Sequence, residues 1–406
     1  MDISEAMQIV STSFTVPGRS DRSLLTSISN ASNFVPPSKA LMAVPSLNQG
    51  ITLRPIDALH QLSFVTAPAY QDDVFDQYVQ WGLHRYLGFF DRSYGAASQV
   101  DLRLSAAGAR IAGNQRRVTS EDMGIGFGAI LGQRWLARTG GAGSAMTIID
   151  IDVALSNRYV YAAGRRQVVQ SSTSRRPDYL IIGQNASNPR RYLVRALECK
   201  GTKSKGHAIR QLAGAVTQLE GVSVGGHIPR GLAVSTITAD DGVSYLAVDP
   251  DDGELSFDVS SNSVEQYSNF VLQDESKEIP AGVAVRGSWA VLADFGGNIA
   301  ALSRWAPSAM LERRWRPQRD RLTIQTPFGL ARGTRVTFNI DGRQLAVWHA
   351  IATTVDQQLA NGSVEEVADA QAAFAQDRAQ SDDHEASSDA VFSAAPDGSI
   401  FALTLE

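Results

Sequence analysis

The 406-residue sequence predicts an α/β protein. An α-β-β-β-α-β core is expected near 116–245, after a mixed N-terminal region (1–115) and before a β-rich C-terminal region (246–406). Three observations lead there. The stretch from Arg175 to Glu220 reads as a strand opening at Pro177-Asp178, a turn, a strand ending in Glu198-Cys199-Lys200, and a helix bearing Gln211 and Gln218. Gly124, Gly128 and Gly132 form a small-residue ridge at four-residue spacing, which lets a helix press closely on a sheet. The chain is 43% hydrophobic and 19% charged, the balance of a folded protein rather than a disordered one.

In chain order, the first fifty residues are rich in Ser, Thr, Pro and Asn and suggest loops or loose structure. Asp72 and Asp73 open a helix through Val74, Phe75, Tyr78, Val79, Trp81 and Tyr86, whose aromatics read as core. Thr119-Ser120-Glu121-Asp122 has the form of a capping box before a helix from Met123 to Ala137. Strands follow at Met146 to Leu155, Asp178 to Ile182 and Tyr192 to Lys200, with a turn at Asn185-Ala186-Ser187-Asn188-Pro189. A helix from about His207 to Leu219 buries Ile209, Leu212, Val216 and Leu219, and Gly231 to Ile237 is a last core strand. Beyond it, Asp252-Gly253, Asp341-Gly342 and Asp397-Gly398 sit between β-prone runs and signal hairpins. A second capping box (Ser363, Glu366) starts a helix whose acidic continuation, through Asp382, Asp383, Glu385 and Asp389, predicts a mobile linker near 376–390. There is no internal repeat.

Composition excludes several classes. A single cysteine permits neither a disulfide framework nor a cysteine-built zinc site. The start Met1-Asp2-Ile3-Ser4-Glu5 lacks a basic region and apolar core, so no secretory signal is expected. Without an uncharged apolar run of about 18 residues, no membrane span is expected, and a cytoplasmic location is the default. The net charge of −5 does not suggest a nucleic-acid binder. Yet the stretch from Leu155 to Ala215 holds twelve basic residues against two acids, Asp178 and Glu198. Such a field would attract a polyphosphate backbone, although solvated loop arginines would give the same count.

Side chains alternate along a strand, so Glu198 and Lys200 share a face and Cys199 looks the other way. With Asp178 on the neighbouring strand, two hard oxygen ligands suit Mg²⁺, and the Cys199 backbone carbonyl can complete the shell. Such a metal polarises a phosphoryl oxygen and acidifies a bound water, while Lys200 stabilises developing charge. A buried structural ion pair would need the same residues.

This pattern, Asp then Glu-x-Lys after Pro-Asp, resembles the PD-(D/E)XK nuclease superfamily, over roughly Glu121 to Ile237. The resemblance implies a restriction-endonuclease-like core, with Asp178 and Glu198 as metal-binding acids and Lys200 as the catalytic lysine. It implies a Mg²⁺-dependent nuclease, with Mn²⁺ substituting, that hydrolyses phosphodiester bonds by direct water attack. DNA is favoured over RNA, in restriction, defence or repair. Glu121 stands where some members add an acid, and reads equally as a helix cap. Gln211 and Gln218 stand where some branches place a Gln, and read equally as a solvated face. Arg175, Arg176, Lys203, Lys205 and Arg210 flank the motif as candidate nucleic-acid contacts. Such enzymes often cut duplexes as dimers, so a homodimer is an open expectation.

Other signals are weaker. Glu275-Ser276-Lys277 repeats Glu-x-Lys in a polar stretch without strand character. Gly221-Val222-Ser223-Val224-Gly225 fits a nucleophile elbow, but a helix precedes it and a strand follows, the reverse of that motif. Gly124 to Ala129 fits a dinucleotide fingerprint without the strand it requires. His207 reads as a helix-start residue. Arg313, Arg314, Arg316, Arg319 and Arg321 with Trp315 form a second basic cluster, read as a solvated connector or a backbone grip. Two other functions stay open: a nucleic-acid-binding module that keeps the fold without cutting, and a serine hydrolase using Ser223.

Overall fold

A computed structural model describes residues 1–66, 86–94, 100–140, 145–151, 159–162, 165–168, 176–224, 228–250, 256–258, 278–279, 281–306, 320–340, 342–380 and 389–406. The expected helix at 72–86 (all but Tyr86), Arg175, Asp252-Gly253, Glu275-Ser276-Lys277, Arg313 to Arg319 and most of the acidic stretch lie outside them.

The middle of the chain is mixed α/β. Its elements are α1 (Gly113–Gly140), β1 (Met146–Asp150), β2 (Tyr179–Asn185), β3 (Asn188–Thr202), α2 (Lys205–Gln218), β4 (Gly231–Ala239) and β5 (Gly242–Pro250). A hairpin of Tyr159–Ala162 and Arg165–Val168 interrupts the order between β1 and β2. The sheet runs β1-β2-β3-β4-β5 and continues to Gly18–Arg19. β3 and β4 are parallel, which requires the crossover that α2 supplies; the other pairs among β1 to β5 are antiparallel. β2 is a near-continuous apolar run because both of its faces are covered.

α1 lies on one face through the glycine ridge. A Cβ on Gly124 would come within 2.6 Å of the Lys200 carbonyl carbon, and one on Gly128 within 2.5 Å of Cys199 Sγ. The helix therefore contacts the β3 backbone directly, as the ridge predicts. It starts ten residues before the expected Met123, which overturns the capping box at 119–122. Thr119 donates instead to the Gln115 carbonyl (2.8 Å), one turn back inside the helix. Arg116 pins the first turn, donating to the carbonyls of Gly108 (2.9 Å) and Thr238.

On the other face α2 packs with the N-terminal helix Arg22–Ser29. Leu24 and Ile28 join Leu212, Val216, Ala233 and Ile237 in one cluster. The start of the chain is thus more ordered than its composition suggests. Asp2 and Asp21 cap helices Ile3–Ser11 and Arg22–Ser29, accepting from Glu5 N (2.8 Å) and Leu24 N (2.7 Å).

The C-terminal sheet is antiparallel, in the order β6 (Leu322–Thr326), β7 (Gly329–Ile340), β8 (Arg343–Ala352), β10 (Ser399–Leu405), β9 (Ala390–Ala394). Its hairpins turn at Gly342 and Gly398, with φ of 80° and 97°. α3 (Val364–Gln380) starts with the expected capping box: Ser363 N donates to Glu366 Oε2 (2.6 Å) and Glu366 N to Ser363 Oγ (3.2 Å). It remains helical through Gln380, into the stretch expected as linker. One apolar core runs through all three regions, from Met7 and Phe14 through Phe127 and Leu197 to Trp289 and Phe401. None of the described helices is long and apolar enough to cross a membrane.

Candidate functional site

The antiparallel register of β2 and β3 ends at Tyr179 opposite Leu197. One step further, Asp178 stands opposite Glu198. Cross-strand partners share a face. Leu197 and Cys199 look toward α1, so Asp178, Glu198 and Lys200 look toward α2.

Each acid is held by the other strand's backbone. Asp178 N–H donates to Glu198 Oε2 (2.9 Å), and Cys199 N–H donates to Asp178 Oδ2 (3.1 Å). Lys200 Nζ lies 3.6 Å from Asp178 Oδ2 and in direct ion-pair contact with Glu198 Oε1. The structure thus brings all three predicted residues together. Glu198 is fully buried, whereas the Asp178 and Lys200 side chains retain 35% and 27% exposure. Burial, reinforced by the neighbouring Asp178 carboxylate, pushes the Glu198 carboxyl up to about 8. Burial works against the Lys200 ammonium, but Glu198 and Asp178 outweigh it and raise its pKa. Burial also pushes the Cys199 thiol well up, so Cys199 is a core group rather than a nucleophile. Its N–H points at Asp178, and a strand residue's carbonyl points to the same side. The Cys199 carbonyl therefore faces the edge where the acids meet.

The two glutamines hold backbone and touch neither carboxylate. Gln211 donates to the Gly201 carbonyl (3.1 Å) and accepts from Ser235 Oγ (3.0 Å); Gln218 reaches the Arg176 carbonyl (3.4 Å). Glu121 lies on α1, across the sheet, exposed and 3.8 Å from Arg117. Among the flanking basic residues, Lys203, Lys205 and Arg210 are exposed just beyond Lys200, and Arg176 is half-buried. Two contributors to the basic stretch are otherwise engaged. Arg195 is buried against the Trp135 ring (4.4 Å), and Arg190 lies 3.9 Å from Asp369.

Sequence reasoning missed Ser235, which lies beside Lys200 in the β3–β4 register and is fully buried. A hydroxyl pair, Ser235-Thr236, within the otherwise apolar run Gly231 to Ile237 was its signal. It also missed Thr202, two residues beyond Lys200 on the same face, whose Oγ1 lies 3.3 Å from His207 Nδ1. His207 itself sits in the first turn of α2, as expected. Ser223 belongs to a two-residue strand paired with Glu278–Ile279, not to a strand-to-helix elbow.

The arrangement presents two carboxylates, an ammonium and a backbone carbonyl at one strand end, beside an exposed basic rim. Comparison with protein-family models, curated proteins and solved structures found no match, so the chemistry of the site rests on its own geometry.

Proposed function

We propose that this chain is a metal-dependent nuclease of PD-(D/E)XK type, with a restriction-endonuclease-like core, acting on DNA. The observation that carries the reading is the meeting of Asp178, Glu198 and Lys200 where the β2–β3 pairing stops. Among the described residues no group of three or more His, Cys, Asp or Glu side chains is assembled. The protein would thus offer Asp178, Glu198 and the Cys199 carbonyl, leaving the remaining positions to water and phosphate oxygens. Mg²⁺ is commonly held in this way, so the donor set fits it. When bound, the cation supplies Lewis acidity at the phosphoryl oxygen and a more acidic water. Lys200 steadies the charge that builds on the phosphate and orients the attacking water. Lys203, Lys205 and Arg210 attract the backbone in a salt-dependent way.

The complete burial of Glu198, already bonded by Asp178 N–H and paired with Lys200, favours a second reading: a nucleic-acid-binding module that does not cut. One experiment separates the two. Linear, circular and single-stranded DNA and RNA are incubated with Mg²⁺, Mn²⁺ or EDTA, wild type beside Glu198→Ala. Metal-dependent cutting that is lost in the variant supports the nuclease. Retained binding without cutting, in both proteins, selects the module.

A further inference from the structure

A cavity of about 300 Å³ lies where three stretches of chain meet: the helix Pro55–Val65, the second half of α1, and the end of α3 with the β9–β10 turn. Its size is at the lower end for small-molecule sites. It lies on the α1 side of the sheet, away from the face that carries Asp178, Glu198 and Lys200, and it is independent of the nuclease reading.

The polar lining has two parts. The first is cationic. Arg378 donates Nε to the Ala394 carbonyl, and Arg134 donates one Nη to the Thr52 carbonyl (3.2 Å). Each keeps further N–H groups for a ligand, and Arg378 also lies in the field of Asp57 and Asp397. The acid in the wall, Asp57, is already engaged by Arg54 (2.7 Å) and Ser393 (2.7 Å). With Arg54 behind the wall and the buried Asp397 acting on Arg378, three guanidinium groups stand against two carboxyl groups, which leaves the cavity positive by one. The second part is an amide pair. Gln133 Nε2 donates to Gln61 Oε1 (3.1 Å), which leaves the Gln133 oxygen as acceptor and the Gln61 nitrogen as donor. Leu53, Ile130 and Met146 supply apolar wall.

We propose that this cavity binds a nucleoside monophosphate. Planar guanidinium groups match phosphate oxygens bidentately. A side-chain amide matches the N6/N7 edge of adenine, and the apolar wall suits the faces of the base. Two guanidinium groups, each already anchored by one carbonyl, and this volume fit one phosphate, not a triphosphate.

The test is isothermal titration of the full chain in EDTA with adenosine 5′-monophosphate, adenosine and inorganic phosphate. The monophosphate should bind one per chain, at least about tenfold tighter than either fragment. Arg378→Gln and Gln133→Leu should each weaken it about tenfold, the scale of one charge-assisted or buried hydrogen bond. Glu198→Ala should leave it unchanged. Should Arg378→Gln fail to fold, Gln133→Leu, on the helix surface, carries the test. No binding at millimolar ligand, equal binding by wild type and both cavity variants, or loss in Glu198→Ala instead, each overturns the proposal.

Discussion

Lys200 has two jobs that one substitution separates. Its ammonium is proposed to serve the reaction, and it neutralises Glu198, which is buried without any exposure. Lys200→Ala should lower cleavage by about 10²- to 10⁴-fold. It should also destabilise the fold, because the buried Glu198 loses its charge partner and must take up a proton to stay buried. Glu198→Gln should lose cleavage equally and keep more stability, since the amide oxygen still accepts from Asp178 N–H and half-exposed Lys200 can turn to water. Cleavage assays beside urea unfolding in EDTA check both. A second buried group contributes to the pH dependence. Ser393 donates its hydroxyl proton to Asp57 Oδ1, so the hydrogen-bond network assigns His60 Nδ1, 3.1 Å from Ser393 Oγ, as a donor. Burial lowers the His60 pKa to about 3. Below pH 6.5 the unfolded chain takes up a proton that the folded chain refuses. The His60 contribution to stability should therefore fall as pH drops from 6.5 toward 3, by roughly 1.4 kcal/mol per unit, while Glu198, raised to about 8, acts in the opposite sense between pH 8 and 4.5. His60→Gln should flatten that slope in urea titrations across pH 4 to 7. Asp178, Glu198 and Lys200 were legible in the sequence because strand alternation and a Pro-Asp entry fix their side and place. His60 was not, since one histidine in an apolar helix carries no pattern, and its role depends on Ser393, more than 300 residues away.

At the scale of elements, the seat of α1 on β3 depends on absent side chains. Gly128→Ala places a methyl 2.5 Å from Cys199 Sγ, and should destabilise by about 1–3 kcal/mol. Cys199→Ala in the same chain removes the sulfur and should recover part of that loss, a coupling measurable by a double-mutant cycle in urea. A cavity-only effect of Cys199→Ala would instead add to the first loss. The glycine ridge was readable because its four-residue spacing is a property of the helix alone. The start of α1 was not. The form Ser/Thr-x-x-Glu/Asp occurs as a true cap at Ser363-x-x-Glu366, where Gly362 is extended (φ −78°, ψ 161°). At Thr119-x-x-Asp122 the upstream Gln115, Arg116 and Arg117 are good helix formers, and Arg116 is bonded to Thr238 on β4, so helix continues through the motif. Local sequence offered the same signal twice, and tertiary contacts decided between them.

At the scale of the whole molecule, the expected regions share their interior. β5 crosses the expected boundary at 245, and Leu24 and Ile28 complete the core beneath α2. Glu220 ties the N-terminal segment to the end of that helix, accepting from Ser38 N (2.7 Å), Ser38 Oγ (2.6 Å) and Lys39 N (3.3 Å). A fragment of residues 113–250 should consequently bind a hydrophobic dye and lack a cooperative calorimetric transition, whereas the full chain shows one. A sharp transition in the fragment would refute the shared core. The sequence could mark the core elements, since period and turn chemistry are local, but not which distant segment roofs them. This arrangement also sets a timetable for the nascent chain. Gly18 pairs with Tyr245, and Arg19 with Leu246. At about 5–20 residues per second, Gly18–Arg19 leaves the ribosome roughly 10–45 s before its strand partner exists. During that interval Leu24 and Ile28 have nowhere to go, so an escort that shields early apolar segments should matter more for the yield of this protein than for one whose neighbours in space are neighbours in sequence.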